Sequence, residues 1–165
     1  MYVSFDSISD NARLWVYQSS RELTTEEIAK IEPLLEQFIN QWTAHGNNLQ
    51  ASYKIYYNRF IALAVDENLH NATGCSIDSS VNFMRSLAQN LNVDLFDRTQ
   101  IAFKENDEIK IESLNNFKNK VKSGELATEV MVFNNAISLK KELEEKWILP
   151  LAESWAGRFL PSTAI

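Results

Sequence analysis

Glycine is scarce in this sequence, with only four residues among 165. They are Gly46, Gly74, Gly124 and Gly157, and no two of them lie within a dozen residues of each other. The phosphate cradle GxxxxGK[ST] and the dinucleotide turn GxGxxG both need closely spaced glycines, because their backbone amides must approach the phosphate. The sequence therefore excludes a P-loop ATPase and a Rossmann nucleotide site.

Cysteine is almost absent, and long apolar runs are missing. Cys75 is the only cysteine, so no disulfide can form within the chain. No stretch approaches the roughly 18 apolar residues that span a bilayer. Residues 1–10 lack the basic start and apolar run of a signal peptide. These features predict a cytoplasmic protein that is not inserted in a membrane.

Positive charge is also in deficit. The formal net charge is -6 and the pI is near 5.0, which does not favour nucleic acid as a partner. Lys118, Lys120 and Lys122 cluster on one short predicted helix, but such a cluster on an acidic protein is typical of a solvated face. Apolar residues make up 45% of the chain, as in an ordered globular protein.

The first part of the chain alternates between strand-like and helix-like spacing of apolar residues. Thr24 and Glu27 fit a capping box at the start of a helix, which we expect to end with His45 in its last turn and Gly46 just beyond. The predicted elements are a strand at Arg13–Gln18, this helix, strands at Ser52–Tyr57 and Phe60–Val65, a helix at Asp78–Leu91 and a strand at Thr99–Lys104.

The order β-α-β-β-α-β is that of the ferredoxin-like fold. The run FIALAV at Phe60–Val65 has no polar residue, which predicts a central strand covered on both faces. The sequence thus predicts one α+β domain over residues 1–165, with an antiparallel or mixed sheet and a ferredoxin-like βαββαβ core. The C-terminal additions are a hairpin strand at Glu108–Glu112, a helix from Ser113 closed by Gly124, a strand at Thr128–Phe133, and a tail that is helical at Ser138–Trp147 and again after Pro150.

The segment Asp66–Ser80 (DENLHNATGCSIDSS) is the best candidate for a site. It joins the most buried predicted strand to the start of a helix, where free amide groups and the helix dipole favour an anion. Several chemically active side chains crowd into this segment. The candidate binding residues within it are Asp66, His70, Cys75, Ser76 and Asp78.

Two interpretations of this segment remain open. In one, Cys75 is a nucleophile or redox-sensing thiol, with His70 as its base or cationic partner and Asp78 as a further catalytic candidate. In the other, Ser76 or Asp78 caps the helix and Cys75 packs as a small buried apolar group. No signature of an oxyanion hole accompanies the cysteine.

A metal site is a further hypothesis. His45 and His70 are the only histidines, and both follow the ends of predicted elements. With Asp66, Glu67 or Asp78 they could form a two-histidine carboxylate set for iron or zinc. None of these spacings is diagnostic, so the sequence assigns no metal and no cofactor.

The C-terminal segment ESWAGRFLPSTAI contains a second candidate surface. Trp155 lies near Arg158 and Phe159, and an exposed aromatic residue beside an arginine is typical of interface anchors. The alternative is that Leu151, Trp155 and Phe159 form the face by which a last helix docks on the domain. Both interpretations stay open at the level of the sequence.

Three short motifs carry a resemblance to a known family. They are TGCSIDSSV (Thr73–Val81), VFNN (Val132–Asn135) and SWAGRF (Ser154–Phe159). Together they resemble a family of short, uncharacterised bacterial proteins that often carry the label "ABC transporter ATPase", and the resemblance covers nearly the whole chain. The label implies ATP hydrolysis, for which this sequence has no Walker motif, and the motifs bring no catalytic residues with them.

The sequence therefore favours a cytoplasmic domain that binds a small molecule or a protein, without ATPase activity. Its predicted site is the Asp66–Ser80 segment, and we expect a monomer or a homodimer. The alternative is a small enzyme that uses Cys75 with His70, or a metal held by histidine and carboxylate. Fold analogy does not decide between them, because a ferredoxin-like scaffold hosts many unrelated functions.

Overall fold

The computed structural model describes residues 1–162 and shows an α+β protein with antiparallel sheets. The chain divides into two compact units. The first comprises Met1–Phe96 together with Ser138–Lys141, and the second comprises Asp97–Ile137 and the residues from Glu142 onward. The α+β class is confirmed, and the single domain over residues 1–165 stays a prediction.

The first unit is built on a three-stranded antiparallel sheet, a small two-stranded hairpin and two long helices. The large sheet has the order β1-β5-β4, and β2 pairs with β3. The elements are β1 Arg13–Gln18, α1 Thr25–Gln41, β2 Thr43–Ala44, β3 Asn47–Asn48, β4 Gln50–Tyr56, β5 Phe60–Asp66 and α2 Gly74–Leu91.

The central strand β5 holds this unit together. All residues from Phe60 to Val65 are buried, as the run FIALAV predicts. Leu63 pairs with Trp15 of β1 on one side and with Tyr53 of β4 on the other. Alternate residues of β5 belong to a core that also contains the apolar faces of α1 and α2. The prediction of a buried central strand is confirmed.

The start of α1 matches the prediction and its end does not. Thr24 Oγ1 accepts from the N–H of Glu27 at 3.1 Å, and Glu27 Oε1 accepts from the N–H of Thr24 at 3.0 Å. The helix ends at Gln41, so its predicted end at His45 is wrong. His45 and Gly46 have φ values of 51° and 78° and form the turn between β2 and β3. Positive φ at both central residues is what a type I′ hairpin turn requires.

The start of α2 also differs from the prediction. The helix begins at Gly74, one turn before the predicted start at Asp78, and Thr73 is its N-cap. Thr73 Oγ1 accepts from the N–H of Ser76 at 3.2 Å, while Ser76 Oγ accepts from the N–H of Thr73 at 2.6 Å. The prediction that Ser76 or Asp78 is the N-cap is therefore wrong. Ser76 is the third helical residue, and its side chain completes the capping box with Thr73. The predicted end at Leu91 is confirmed.

The second unit contains a four-stranded antiparallel sheet of order β7-β6-β8-β9. Asn106 and Asp107 have positive φ and form the predicted turn between its first two strands. Ser113 caps the following helix as predicted. The elements are β6 Gln100–Glu105, β7 Glu108–Ser113, α3 Leu114–Lys122, β8 Met131–Phe133, α4 Glu142–Glu145 and β9 Ile148–Pro150.

The tail is less helical than the sequence indicates. Only Glu142–Glu145 is α-helical within the predicted helix Ser138–Trp147, and short 3-10 turns follow at Leu151–Glu153 and Trp155–Phe159. Ile148–Pro150 is a strand instead, because it pairs with β8. None of the helices that the structure describes is both long and apolar enough to cross a membrane.

The ferredoxin-like arrangement is not confirmed. The order β1-β5-β4 agrees with part of that topology, but β6 pairs with β7 and β8 in the other sheet rather than with β1. The open side of β1 is occupied by the segment Ser138–Lys141. The N–H of Leu14 donates to the carbonyl of Ser138 at 2.8 Å, and the N–H of Lys140 donates to that of Ala12 at 2.9 Å. These bonds use the edge where a fourth ferredoxin-like strand would lie.

Candidate functional site

A surface pocket of about 550 Å³ lies in the first unit, where the end of α1 and the β2–β3 hairpin meet the start of α2. We call it the hairpin pocket. Its volume falls within the usual range for small-molecule sites. The residues that line it include Phe38, Trp42, His45, Thr73, Gly74, Cys75 and Ser79.

The first turn of α2 gives the pocket its polar side. The first four backbone N–H groups of an α-helix have no hydrogen-bond acceptor within the helix. The capping box satisfies two of them, since Thr73 Oγ1 accepts from the N–H of Ser76 and Ser76 Oγ accepts from the N–H of Thr73. The N–H groups of Gly74 and Cys75 remain, and both residues line the pocket. An anion is the natural partner for such a helix start.

Aromatic rings form the apolar side. The indole of Trp42 is buried, and its centre lies 5.2 Å from the ring of Phe38. Phe38 is in turn stacked on Phe83 of α2, with the centres 4.5 Å apart and the planes at 9°. The indole N–H of Trp42 donates to the carbonyl of Ser76 at 2.8 Å. The two helices are thus joined by ring contacts and by a buried hydrogen bond directly beneath the pocket.

The histidine of this pocket is His45 rather than His70. His45 is exposed in the β2–β3 turn and lines the hairpin pocket together with Cys75. His70 is exposed in the loop before α2 and is not among the lining residues. The structure therefore brings Cys75 into one pocket with His45, and the pairing of Cys75 with His70 stays a prediction. His45 and Gly46 form a hairpin turn where the sequence predicts a helix end.

Cys75 is exposed, so its interpretation as a small buried group is wrong. The residues of α2 that face the interior include Ser76, Ser80 and Met84. Successive residues of an α-helix are rotated by about 100°. Cys75 precedes Ser76 and therefore points away from the core. Asp78 is exposed on α2 and is also outside the residues that line the pocket.

The two acidic residues at the start of the loop have local structural roles. Asp66 Oδ1 accepts from the N–H of Asn68 at 3.0 Å, and Glu67 Oε2 accepts from the N–H of Ala72 at 2.8 Å. Within residues 1–162, no group of three or more His, Cys, Asp and Glu side chains is placed to hold a metal ion. The hypothesised two-histidine carboxylate set is therefore not brought together in this part of the chain.

Trp155 packs into the second unit. Its indole N–H donates to the carbonyl of Phe133 at 3.1 Å, and its ring centre lies 5.9 Å from Phe117 and 6.0 Å from Phe159. The residue is half-buried against the core of that unit. Arg158 is exposed, with Cζ 5.0 Å from the centre of the Phe159 ring. These contacts favour the docking interpretation for Trp155, and a binding role for Trp155 and Arg158 stays a prediction.

Two of the three sequence motifs have structural explanations. In VFNN, Asn135 Oδ1 accepts from the indole N–H of Trp147 at 3.0 Å, and Asn134 Oδ1 accepts from the N–H of Ala136 at 3.0 Å. In SWAGRF, a Cβ at Gly157 would lie 2.8 Å from the carbonyl oxygen of Ala152, which requires glycine there. The third motif, TGCSIDSSV, supplies one side of the hairpin pocket.

Comparison with known proteins adds no identity to these features. No family model, no curated protein sequence and no solved structure matches the chain. The resemblance to the bacterial family labelled "ABC transporter ATPase" accordingly stays a prediction.

Proposed function

We propose that the protein is a binding protein and that its hairpin pocket takes a small anionic molecule with a flat apolar part. The observation that carries this proposal is that one pocket combines the N–H groups of Gly74 and Cys75, which no acceptor among the described residues binds, with an aromatic wall. A helix start attracts the anion, and aromatic faces bind a planar group.

The polar side chains around this pocket suit recognition of an anionic group. His45, Thr73 and Ser79 line it together with the N–H groups of Gly74 and Cys75. Hydroxyls and imidazole N–H groups donate hydrogen bonds to carboxylate or phosphate oxygens. Among residues 1–162, no carboxylate lines the pocket, so an anion meets no negative side chain of this part of the chain there. This matters on a chain whose formal net charge is -6.

The test is a titration with phenyl phosphate, followed by amide chemical shifts in NMR spectra. We expect saturable shifts of Gly74, Cys75 and Ser76, with a Kd on the order of 1 mM for so small a probe. Inorganic phosphate should bind several-fold more weakly, because it has no ring to contact Phe38 and Trp42.

Position 74 offers a matched pair of variants. Gly74→Ala keeps the backbone N–H, and a Cβ there meets no atom within 4 Å. Gly74→Pro removes that N–H at the first helical position, where proline is well accommodated. Thr73 already has the extended conformation that precedes proline, with φ -105° and ψ 169°. We expect Gly74→Pro to weaken phenyl phosphate binding about tenfold relative to Gly74→Ala, since one charge-assisted hydrogen bond is lost. Equal affinity of the two variants for phenyl phosphate would show that the N–H at position 74 does not bind the ligand.

A second candidate function is thiol chemistry at Cys75. The observation that favours it is that Cys75 is exposed and shares the hairpin pocket with His45. An adjacent imidazole is the usual activator of a cysteine nucleophile. Under this proposal the protein is a small enzyme or a redox sensor rather than a simple binding protein.

Alkylation of Cys75 by iodoacetamide at neutral pH tests this candidate directly. His45→Asn removes the imidazole and keeps the turn, because Asn-Gly is a favoured type I′ pair. His70→Asn is the control, since His70 is exposed outside the pocket. We expect faster alkylation than for a peptide thiol, and a loss of that advantage in His45→Asn only. If wild-type Cys75 reacts no faster than a peptide thiol, this candidate fails.

A cytoplasmic location and a monomeric or homodimeric state complete the proposal. The single cysteine supports the location, since disulfides mark oxidising compartments. Native mass spectrometry of protein purified from its source would test the oligomeric state and would reveal a bound small molecule by its mass.

A further inference from the structure

A second pocket of about 330 Å³ lies in the first unit between α1 and β4. We call it the tyrosine pocket. Ile28 and Glu32 of α1 line one side, and Tyr53 and Ile55 of β4 line the other. Tyr2 completes it, since the N-terminal segment runs beside β4 and forms a bridge with Ala51.

Two tyrosine rings form the wall of this pocket. The centres of Tyr2 and Tyr53 are 5.8 Å apart, and the planes are tilted by 40°. Tyr53 is buried to 9% exposure and is therefore fixed in place, while Tyr2 is half-buried at the rim. The faces of aromatic rings carry negative charge density and attract cations. Ile28 and Ile55 add an apolar surface that suits an alkyl chain.

One carboxylate lines the pocket and a second lies one helical turn away. Glu32 lines it, and Glu36 follows one turn later on the same face of α1. The pKa of the Tyr53 hydroxyl is raised, first by burial and then by the charges of Glu32 and Glu36. Both carboxylates therefore lie near the Tyr53 hydroxyl, which donates a hydrogen bond to Glu36. Neither carboxylate forms an ion pair with a residue in the range 1–162.

The nearest lysine does not neutralise these carboxylates. Lys54 is among the residues that line the pocket, but its Nζ lies 5.1 Å from the centre of the Tyr56 ring and 5.9 Å from that of Phe5. Alternate residues of a strand face opposite sides of the sheet, so Lys54 projects away from the face of Tyr53. Glu32 at the pocket and Glu36 one turn beyond it therefore form no ion pair with Lys54 or with any other cation of residues 1–162.

We propose that the tyrosine pocket is a second binding site, specific for a small protonated alkylamine. The ammonium group lies against Glu32 and the faces of Tyr2 and Tyr53, and the alkyl chain contacts Ile28 and Ile55. A bare metal ion fits this site less well, because no group of three His, Cys, Asp and Glu side chains converges in the described residues. The proposal is independent of the ligand in the hairpin pocket, which is anionic.

The test compares n-butylammonium chloride with n-butanol, which has the same alkyl chain and no charge. Ring and amide resonances of Tyr2 and Tyr53 are followed by NMR during each titration. We expect saturable shifts with n-butylammonium at a Kd on the order of 1 mM. Butanol should produce shifts that are weaker and do not saturate over the same range.

Three variants separate the contributions. Glu32→Gln should weaken n-butylammonium binding about fivefold or more, because it removes the charge and keeps the shape. Glu26→Gln, on the exposed first turn of the same helix, is the matched control and should bind like wild type. Tyr2→Leu tests the ring, since it keeps the apolar contact and loses the aromatic face.

Each failure is distinct. If butanol shifts the same resonances to the same extent, the pocket is merely apolar and the proposal is wrong. If the shifts do not saturate with n-butylammonium, the pocket does not bind it and the proposal is overturned. If Glu32→Gln binds n-butylammonium as tightly as Glu26→Gln does, the Glu32 carboxylate plays no part and the proposal is likewise overturned. None of these results bears on phenyl phosphate binding at Gly74 and Cys75, so the two proposed sites are tested separately.

Discussion

The indole N–H of Trp42 donates a buried hydrogen bond of 2.8 Å to the backbone carbonyl of Ser76. Trp42 is the C-cap of α1, and Ser76 closes the capping box of α2. This one bond therefore ties the end of the first helix to the start of the second. Because both residues line the hairpin pocket, the bond also fixes the geometry of the candidate site.

Trp42→Phe should destabilise the protein by about 1–3 kcal/mol for the lost hydrogen bond. The smaller ring adds a packing cost, because Trp42 is only 2% exposed. Urea unfolding measures the change. Trp15→Phe is the control, since Trp15 is half-buried and its indole N–H has no hydrogen bond among the described residues. A loss for Trp15→Phe as large as for Trp42→Phe would show that ring size, rather than the bond, controls stability.

Gly157→Ala should destabilise the second unit. A Cβ at this position would lie 2.8 Å from the Ala152 carbonyl oxygen, a backbone atom that cannot move freely. Overpacking of this kind costs about 1–3 kcal/mol. Gly74→Ala is the opposite case, because its Cβ meets no atom within 4 Å and alanine favours the helix by about 0.5–1 kcal/mol. Thermal unfolding of both variants should therefore shift in opposite directions, and a shared direction would contradict the geometry at Gly157.

Acid should weaken the protein partly through Glu27. The hydrogen bond from Arg21, followed by that from the Thr24 backbone, lowers the pKa of Glu27 from 4.5 to about 2. A carboxyl with a depressed folded pKa adds stability above its unfolded pKa and loses it as pH falls through the folded value. The contribution of Glu27 is thus complete above pH 4.5 and disappears towards pH 2.

Glu27→Gln checks this assignment by urea unfolding at several pH values. The variant should be less stable than wild type near neutral pH, and the difference should shrink below pH 4.5, where wild type begins to lose the contribution. Glu26→Gln controls for charge at the same helix start, and its difference from wild type should be the smaller one. A constant gap between wild type and Glu27→Gln down to pH 2 would contradict the prediction.

Ser52→Ala should stabilise the first unit. Ser52 Oγ is fully buried and has no hydrogen-bond partner within residues 1–162. An unsatisfied buried hydroxyl costs about 1–3 kcal/mol, so its removal should raise the free energy of unfolding by about 1 kcal/mol. Ser76→Ala has the same chemistry and similar burial but loses the capping box, and should cost about 1 kcal/mol. If Ser52→Ala is destabilised as well, a bound water satisfies the hydroxyl.

The sequence was a good guide wherever the deciding interactions are local. The capping box at Thr24 and Glu27 spans one helical turn, and the Asn106-Asp107 turn spans a two-residue hairpin. The run FIALAV predicts a buried strand because all its residues are apolar, and a strand that is apolar on both faces is covered on both faces. Each of these features depends on residues that are close in the chain, so the sequence pattern predicts it.

The sequence predicts only part of the candidate site, because the site also depends on residues that are far apart in the chain. The segment Asp66–Ser80 did supply Cys75 and the helix start, but Trp42 and His45 come from a distant part of the chain. His45-Gly46 fits a helix end as well as a hairpin turn, and only the pairing of β2 with β3 selects the turn. The exposure of Cys75 depends on which face of α2 packs inward, and the tertiary packing places Ser76 and Ser80 on that face.

The sequence by itself determined the α+β class, the buried central strand, the lack of a phosphate-binding loop and most element positions, because these follow from composition and short-range periodicity. The tertiary structure alone decided that β6 joins a second sheet, that Ser138–Lys141 lies along β1, and that His45 shares a pocket with Cys75. The physical reason is that strand pairing and pocket formation depend on contacts between residues far apart in the chain, which local pattern does not encode.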